Sequence, residues 1–143
     1  MKPEVLRQVV EELIPFNKFL GVKVVSIAEG FVRLEIPFRP EFVGDALRPA
    51  LHGGVISTLA DTAGGIAIWT GIDPRGRVST IDLRVDYLRP GRAETLVAEA
   101  TTVRAGSRVG VADIRLFHPD ASTDTIATGK GVYNIKLVKQ RSE

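Results

Sequence analysis

The residue types and spacing best suited to chemistry are His52-Gly53-Gly54 and, farther along the same apolar run, Asp61. Between Ala50 and Ile72 there is no other Asp, Glu, Lys or Arg. A lone carboxylate on a segment that reads as buried is costly, because an ionised group out of water loses several kcal/mol or shifts its pKa until neutral. Such a group has a task or a partner. A glycine-opened helix start leaves backbone N–H groups free and lets a ligand approach them closely. Together the two features offer donors for a negatively charged or polarised group and a carboxylate that takes up a proton or attacks.

The run VISTLADTAGGIAIW predicts one helix from Gly53 to about Thr70. Apolar or small residues lie almost all the way round it, which is the pattern of a helix buried within the fold. Gly54, Ser57, Thr58, Asp61 and Gly65 fall on one narrow polar stripe of it, and Asp61 stands about 10 Å along the axis from Gly54. That is too far for both to grip one atom within a single subunit. Either an extended ligand lies along the stripe or a second copy of the chain completes the site.

Other elements must position this helix. Pro3 to Ile14 carries apolar residues at three-and-four spacing, predicting an amphipathic helix over roughly residues 1–15 that Pro15 ends. Val22–Ile27 and Phe31–Pro37 read as a hairpin about Glu29-Gly30. A loop from Phe38 to Leu51, with Pro40, Gly44 and Pro49, leads into His52, and long loops in compact domains are often functional. Strands are expected at Val78–Leu88, Thr95–Val103, Arg108–His118 and Thr125–Val138, with a loose tail at 139–143. One antiparallel sheet wrapping one helix, a single domain over 1–143 and an α+β class follow.

Composition narrows the function. The 143 residues hold 44% hydrophobic and 25% charged side chains, an ordinary globular balance. A net charge of +2 with scattered basic residues argues weakly against nucleic acid and leaves room for a phosphorylated small molecule. The absence of cysteine excludes disulfides and thiolate chemistry, and with His52 and His118 the only histidines a multi-histidine metal site is excluded. Neither a signal peptide nor a membrane span is legible, so a cytoplasmic location is expected.

The pattern Leu51-His52-Gly53-Gly54-x6-Asp61, followed by Thr80-x-Asp82-Leu83-x-Val85-x-Tyr87-Leu88-Arg89-Pro90, resembles the hotdog-fold acyl-CoA thioesterases of the phenylacetic-acid-degradation type. The similarity runs from about Phe16 to Ile135. It implies a long helix wrapped by a curved antiparallel sheet, with dimers paired edge to edge and often assembled into tetramers. It implies further that the Gly53 amide polarises a thioester carbonyl, that Asp61 from the neighbouring subunit activates water or attacks, and that Thr80 assists. The substrate would be an acyl-CoA and no separate cofactor is expected. In the family an Asn precedes the histidine; here Asp45 is the nearest match. Either Asp45 is protonated, or it plays another role, or the loop aligns differently.

Physical chemistry agrees with these roles. Thioester hydrolysis develops charge on the carbonyl oxygen, which preorganised N–H donors stabilise, and Asp61 is the only acid within reach of the helix. His52 reads more readily as a residue that positions the glycine turn than as a proton carrier. Gly54 belongs to the same helix start. Arg89, Arg92, Arg104 and Arg108 flank two turns and are candidates for coenzyme A phosphates. The acyl pocket is expected from Phe16, Phe19, Leu20, Ile66 and Trp69. His118 reads as a turn residue. The alternative is a non-catalytic acyl-CoA sensor, although no DNA-binding segment is present.

Overall fold

The computed structural model describes residues 2–139. The expected tail therefore lies, from residue 140 on, outside the described residues. Six antiparallel strands form one sheet in the order β1-β2-β4-β5-β6-β3, and a 17-residue helix, α3 (Gly53–Trp69), packs on it. The strands are β1 (Lys23–Ala28), β2 (Phe31–Ile36), β3 (Arg77–Tyr87), β4 (Leu96–Ala105), β5 (Val109–Phe117) and β6 (Ala127–Lys136). This is the α+β hotdog arrangement that the sequence predicts.

The N-terminal segment departs from expectation. Instead of one helix, α1 (Pro3–Gln8) runs into a π-helical turn at Val9–Leu13, and a second helix, α2 (Pro15–Leu20), follows. Pro15 does end the first segment. The same fixed φ also makes proline a good first residue of a helix, so it starts the next. Gly21, with φ 76°, closes α2 in the left-handed conformation that glycine tolerates best.

Period-two patterning sets the inner face of the sheet. Val32, Leu34 and Ile36 of β2 lie opposite Ala100, Ala98 and Leu96 of β4, and all six are buried. Burial of each large aliphatic contributes about 1.5–3 kcal/mol. Small residues on both sides, Ala60, Ala63, Gly64 and Ala67 of α3 and Ala98, Ala100 and Ala112 of the sheet, let the helix lie close. Tyr133 of β6 is the bulky exception, seated in room left by Gly64 and Gly131, where a methyl group on either would run into its ring or hydroxyl.

The two sheet edges differ. At β1, the Val24 N–H donates to Glu11 Oε1 (2.8 Å) and the Val24 carbonyl accepts from Arg7 Nη1, so the N-terminal segment occupies that edge. At the other edge β3 offers eleven residues with no strand beyond it among the described residues, and Ile81 and Tyr87 are more than half exposed. An open edge of that length is a template for pairing with another strand.

A β-bulge in β3 falls between Thr80 and Asp82. Thr80 pairs with Tyr133 and Leu83 with Gly131, two residues that share the inner face of β6. Thr80 and Leu83 are an odd number of positions apart, so a regular strand would turn one of them outward. The extra residue, Ile81, keeps both facing α3.

Candidate active site

His52 is the N-cap of α3, and its Nδ1 accepts from the Gly54 N–H at 2.8 Å. That bond leaves the ring proton of the neutral imidazole on Nε2 and makes His52 the holder of the glycine turn. The Val55 and Ile56 amides donate to the His52 carbonyl. Among the described residues nothing accepts from the Gly53 N–H, so one donor remains at the helix start. The Tyr87 hydroxyl donates to the Gly53 carbonyl at 2.9 Å and ties the turn to the end of β3.

The loop before the turn is braced. The His52 N–H donates to the Phe42 carbonyl, the Gly44 N–H to that of Ala50, and the Leu51 N–H to that of Gly91. A Cβ at Gly44 would overlap His52, so only glycine allows this approach. Asp45 makes an Asx turn: Oδ1 accepts from the Leu47 N–H at 2.8 Å and Oδ2 from Arg48 Nε at 3.0 Å. The Leu47 amide first, and then Arg48, hold its carboxyl below the usual carboxylate range, so Asp45 is ionised and shapes the loop.

Two turns along α3, Asp61 is half-buried rather than sealed in the core, because its whole stripe from Gly54 to Gly65 stays partly open. Ser57 and Thr58 on that stripe spend their hydroxyls on the Gly54 carbonyl. Thr80 Oγ1 donates to Asp61 Oδ1 at 2.7 Å, and Oδ2 has no partner among the described residues. Beneath, the Tyr133 hydroxyl donates to the Asp61 backbone carbonyl at 3.0 Å. Burial, and then the nearby Asp61 charge, push the Tyr133 pKa well up, so the phenol stays protonated as a donor.

These groups open on two different clefts. One, of about 550 Å³, is lined by Asp45, His52, Gly53, Tyr87 and Arg89. The other, of about 720 Å³, is lined by Asp61, Thr80, Ile66, Trp69, Val9 and Asn17 among others. Asp61 meets Thr80 within the protomer, as expected, while Gly53 sits apart from both.

Ile66 and Trp69 line the Asp61 cleft, but the expected aromatic wall from α2 does not form. Phe16 and Phe19 are 56% and 67% exposed, stacked on each other at 6.5 Å, and Leu20 is core. With α2 starting at Pro15, positions 16 and 19 share the solvent face while Asn17 and Leu20 turn inward.

The four candidate arginines divide. Arg89 and Arg92 lie at the Gly53 end, with Arg89 3.6 Å from Asp124 and Arg92 paired with Glu94 and Asp120. Arg104 and Arg108 are at the opposite end, by the β4–β5 turn, and line neither cleft. His118 is buried rather than a free turn residue: its Nε2 accepts from the Arg92 N–H and its Nδ1–H donates to the Thr95 carbonyl, each at 2.8 Å. Among the described residues no three His, Asp or Glu side chains cluster as a metal site, and no helix is long and apolar enough to cross a membrane.

Gly44, Tyr87 and Tyr133 were missed by sequence reasoning. Tyr87 lies in the Thr80–Pro90 strand pattern, but only the fold brings its hydroxyl to Gly53.

Comparison with known proteins adds an independent line. Residues 49–124 match the family model described as Thioesterase superfamily. The medium/long-chain acyl-CoA thioesterase YigI of Escherichia coli is 36% identical over 119 residues, spanning 74% of this chain and 77% of YigI. A Halobacterium salinarum protein provisionally assigned as an esterase is 40% identical over 124 residues, 82% of each chain. Among solved structures, a Shewanella oneidensis protein related to the thioesterase superfamily superposes with a TM-score of 0.79 at 29% identity, over 92% of this chain and 93% of that one. A Haemophilus influenzae thioesterase superposes with a TM-score of 0.83 over 99% and 96% of the chains, and at 21% identity that likeness is one of fold alone.

Proposed function

The chain belongs to the thioesterase superfamily and is a thioester hydrolase, and on that premise we propose that it cleaves acyl-CoA thioesters at a site shared between two subunits. The identity to YigI supports an acyl-CoA substrate. The Leu51-His52-Gly53-Gly54 to Asp61 spacing supports the phenylacetic-acid-degradation type within the family.

One observation carries the shared site: the Gly53 donor and the Asp61–Thr80 pair open on separate clefts, near opposite ends of a strand whose outer edge is unpaired. An antiparallel second copy of β3 along that edge turns the Tyr87 end of one chain toward the Thr80 end of the other. The dimer then brings Gly53 of one protomer to Asp61 of its partner. Pairing of such dimers into tetramers is the family's further habit and part of this proposal.

In this reading the Gly53 N–H donates to the thioester carbonyl oxygen and holds the charge that develops there. Asp61 either takes a proton from water through its free Oδ2 as that water attacks, or attacks the carbonyl itself. Thr80 fixes the carboxylate by its bond to Oδ1. Collapse of the tetrahedral species breaks the C–S bond and the thiolate leaves. On the first route it takes up the proton held by Asp61; on the second an acyl–Asp61 anhydride remains, which water hydrolyses to the free acid, returning the carboxylate and supplying the thiolate's proton. A thiol, with its pKa near 8.5, leaves without strong acid help. The reaction so drawn uses water, the Gly53 amide and side chains. His52 acts by positioning, and of the two arginines that line the Gly53 cleft, Arg48 is held by Asp45, which leaves Arg89 as the candidate for a coenzyme A phosphate.

The test is thiol release from a panel of aromatic and straight-chain acyl-CoAs by wild type and Asp61→Ala. Turnover that is lost in the variant, with fold and oligomer intact, supports the reading. Tight binding without turnover of any ester would favour the sensor alternative.

A further inference from the structure

We infer that Trp69 is the residue that sets acyl-chain length, as a partition between the Asp61 cleft and a second, partly apolar cavity that it also lines. The inference rests on the reading that the thioester carbonyl lies at Asp61. Asp61, Gly65 and Trp69 succeed one another at four-residue intervals and so share one face of α3, with Asp61 and Trp69 about 12 Å apart along the axis. Gly65 has no side chain to fill the space between them. A groove therefore runs from the carboxylate to the indole, flanked by Ile66, Val9 and Ile14.

Trp69 also lines a separate cavity of about 250 Å³, together with Pro3, Leu6, Ile27, Ala28 and Ile72. These five side chains are apolar, and Glu29 and Thr70 complete the lining. Thr70, which borders the same space, has its hydroxyl engaged, donating to the Ala67 carbonyl at 2.6 Å and accepting from the Gly30 N–H at 2.8 Å. Glu29, in the same lining, is exposed to solvent. The apolar side of the small cavity, formed by Leu6, Ile27 and Ile72, thus suits an alkyl end, and Trp69 is common to both spaces. Its indole N–H has no acceptor among the described residues, so the ring is held by packing alone, and a smaller apolar residue leaves no buried acceptor orphaned. An alkyl chain that reaches Trp69 stops there; with the ring removed, it continues into the second cavity.

Straight-chain S-alkyl-CoA thioethers, which cannot be hydrolysed, are titrated from short to long against wild type, Trp69→Leu, Trp69→Phe and Trp69→Leu/Ala28→Phe. In wild type each methylene tightens binding by about fourfold until the chain meets Trp69, after which the gain ceases. Trp69→Leu moves that break to longer chains and Trp69→Phe moves it less. Ala28→Phe, which fills the second cavity, moves it back. The same break in all four proteins, or no gain per methylene in any, would overturn the inference. Thiol release from the matching acyl-CoAs separates the two claims: a shifting break without turnover leaves the partition standing and removes the thioesterase reading, whereas turnover with an unmoved break does the reverse.

Discussion

Thr80 Oγ1 donates a 2.7 Å hydrogen bond to Asp61 Oδ1, across the bulge that keeps Thr80 on the helix side of β3. A bond to a charged acceptor contributes about 1.5–3 kcal/mol. Thr80→Val is therefore expected to lower kcat by roughly 10- to 150-fold with little change in KM, and Thr80→Ser to restore most of it. Steady-state kinetics on one acyl-CoA check this. A KM effect without a kcat effect would assign Thr80 to binding instead.

His52 caps α3 through Nδ1, so what it supplies is an acceptor. Asparagine offers a capping oxygen and alanine offers none. His52→Asn is expected to keep stability close to wild type, while His52→Ala loses about 0.5–2 kcal/mol. Urea denaturation of the two variants measures the difference. Equal losses in both would show that the imidazole does something other than cap.

Gly64 faces the Tyr133 hydroxyl that supports the Asp61 backbone. Gly64→Ala forces the ring to move inside a packed core, at about 1–3 kcal/mol. Tyr133→Phe keeps the packing and removes the second donor to the Asp61 carbonyl, which retains its helical bond from the Gly65 N–H, costing about 0.5–1.5 kcal/mol. Thermal melts are expected to show both losses, and activity in Tyr133→Phe to fall further than stability alone explains.

The acid limb of stability carries a contribution from the turn between α3 and β3. The Arg75 side chain first, and then its N–H, hold the Asp73 carboxyl down from 3.8 to about 2. A folded pKa below the unfolded one gives stabilisation that is present above about pH 4 and is lost as pH falls toward 2. Asp73 is exposed, so the effect is small. Asp73→Asn is expected to make the fall in melting temperature between pH 4 and pH 2 slightly shallower and to leave its slope above pH 5 unchanged.

The bounds of α3 were legible because local signals mark both ends: His52-Gly53-Gly54 opens it, and Gly71 with Asp73-Pro74 closes the way onward. The strands were legible to within about two residues because the inner face alternates so regularly. What stayed hidden depends on contacts distant in sequence. Pro15 looks the same whether it only stops one helix or also starts another. The bulge at Ile81 shows only once β6 fixes which β3 residues face inward, and Tyr133 supports Asp61 from 72 positions away. The apolar surroundings of Asp61 predicted deep burial, but the stripe is half-open because no element among the described residues covers it. The Gly53–Asp61 pair was legible as two chemical groups too far apart for one protomer, and the open β3 edge supplies the physical reason to look for the second half in a partner.

The central claim is that Gly53 and Asp61 of different subunits act on one carbonyl, and subunit mixing tests it most directly. Gly53→Pro is the sharp probe: Gly53 is the first residue of α3, His52 before it is already extended, and a Cβ there meets only ordinary contact with Tyr87. Proline at that position removes the N–H and little else. Gly53→Pro and Asp61→Ala are each expected to be nearly inactive. Equal mixing with subunit exchange makes dimers in which one of two sites is intact, so thiol release should recover to about a quarter of the wild-type rate. No recovery in dimers verified as mixed would contradict the shared site.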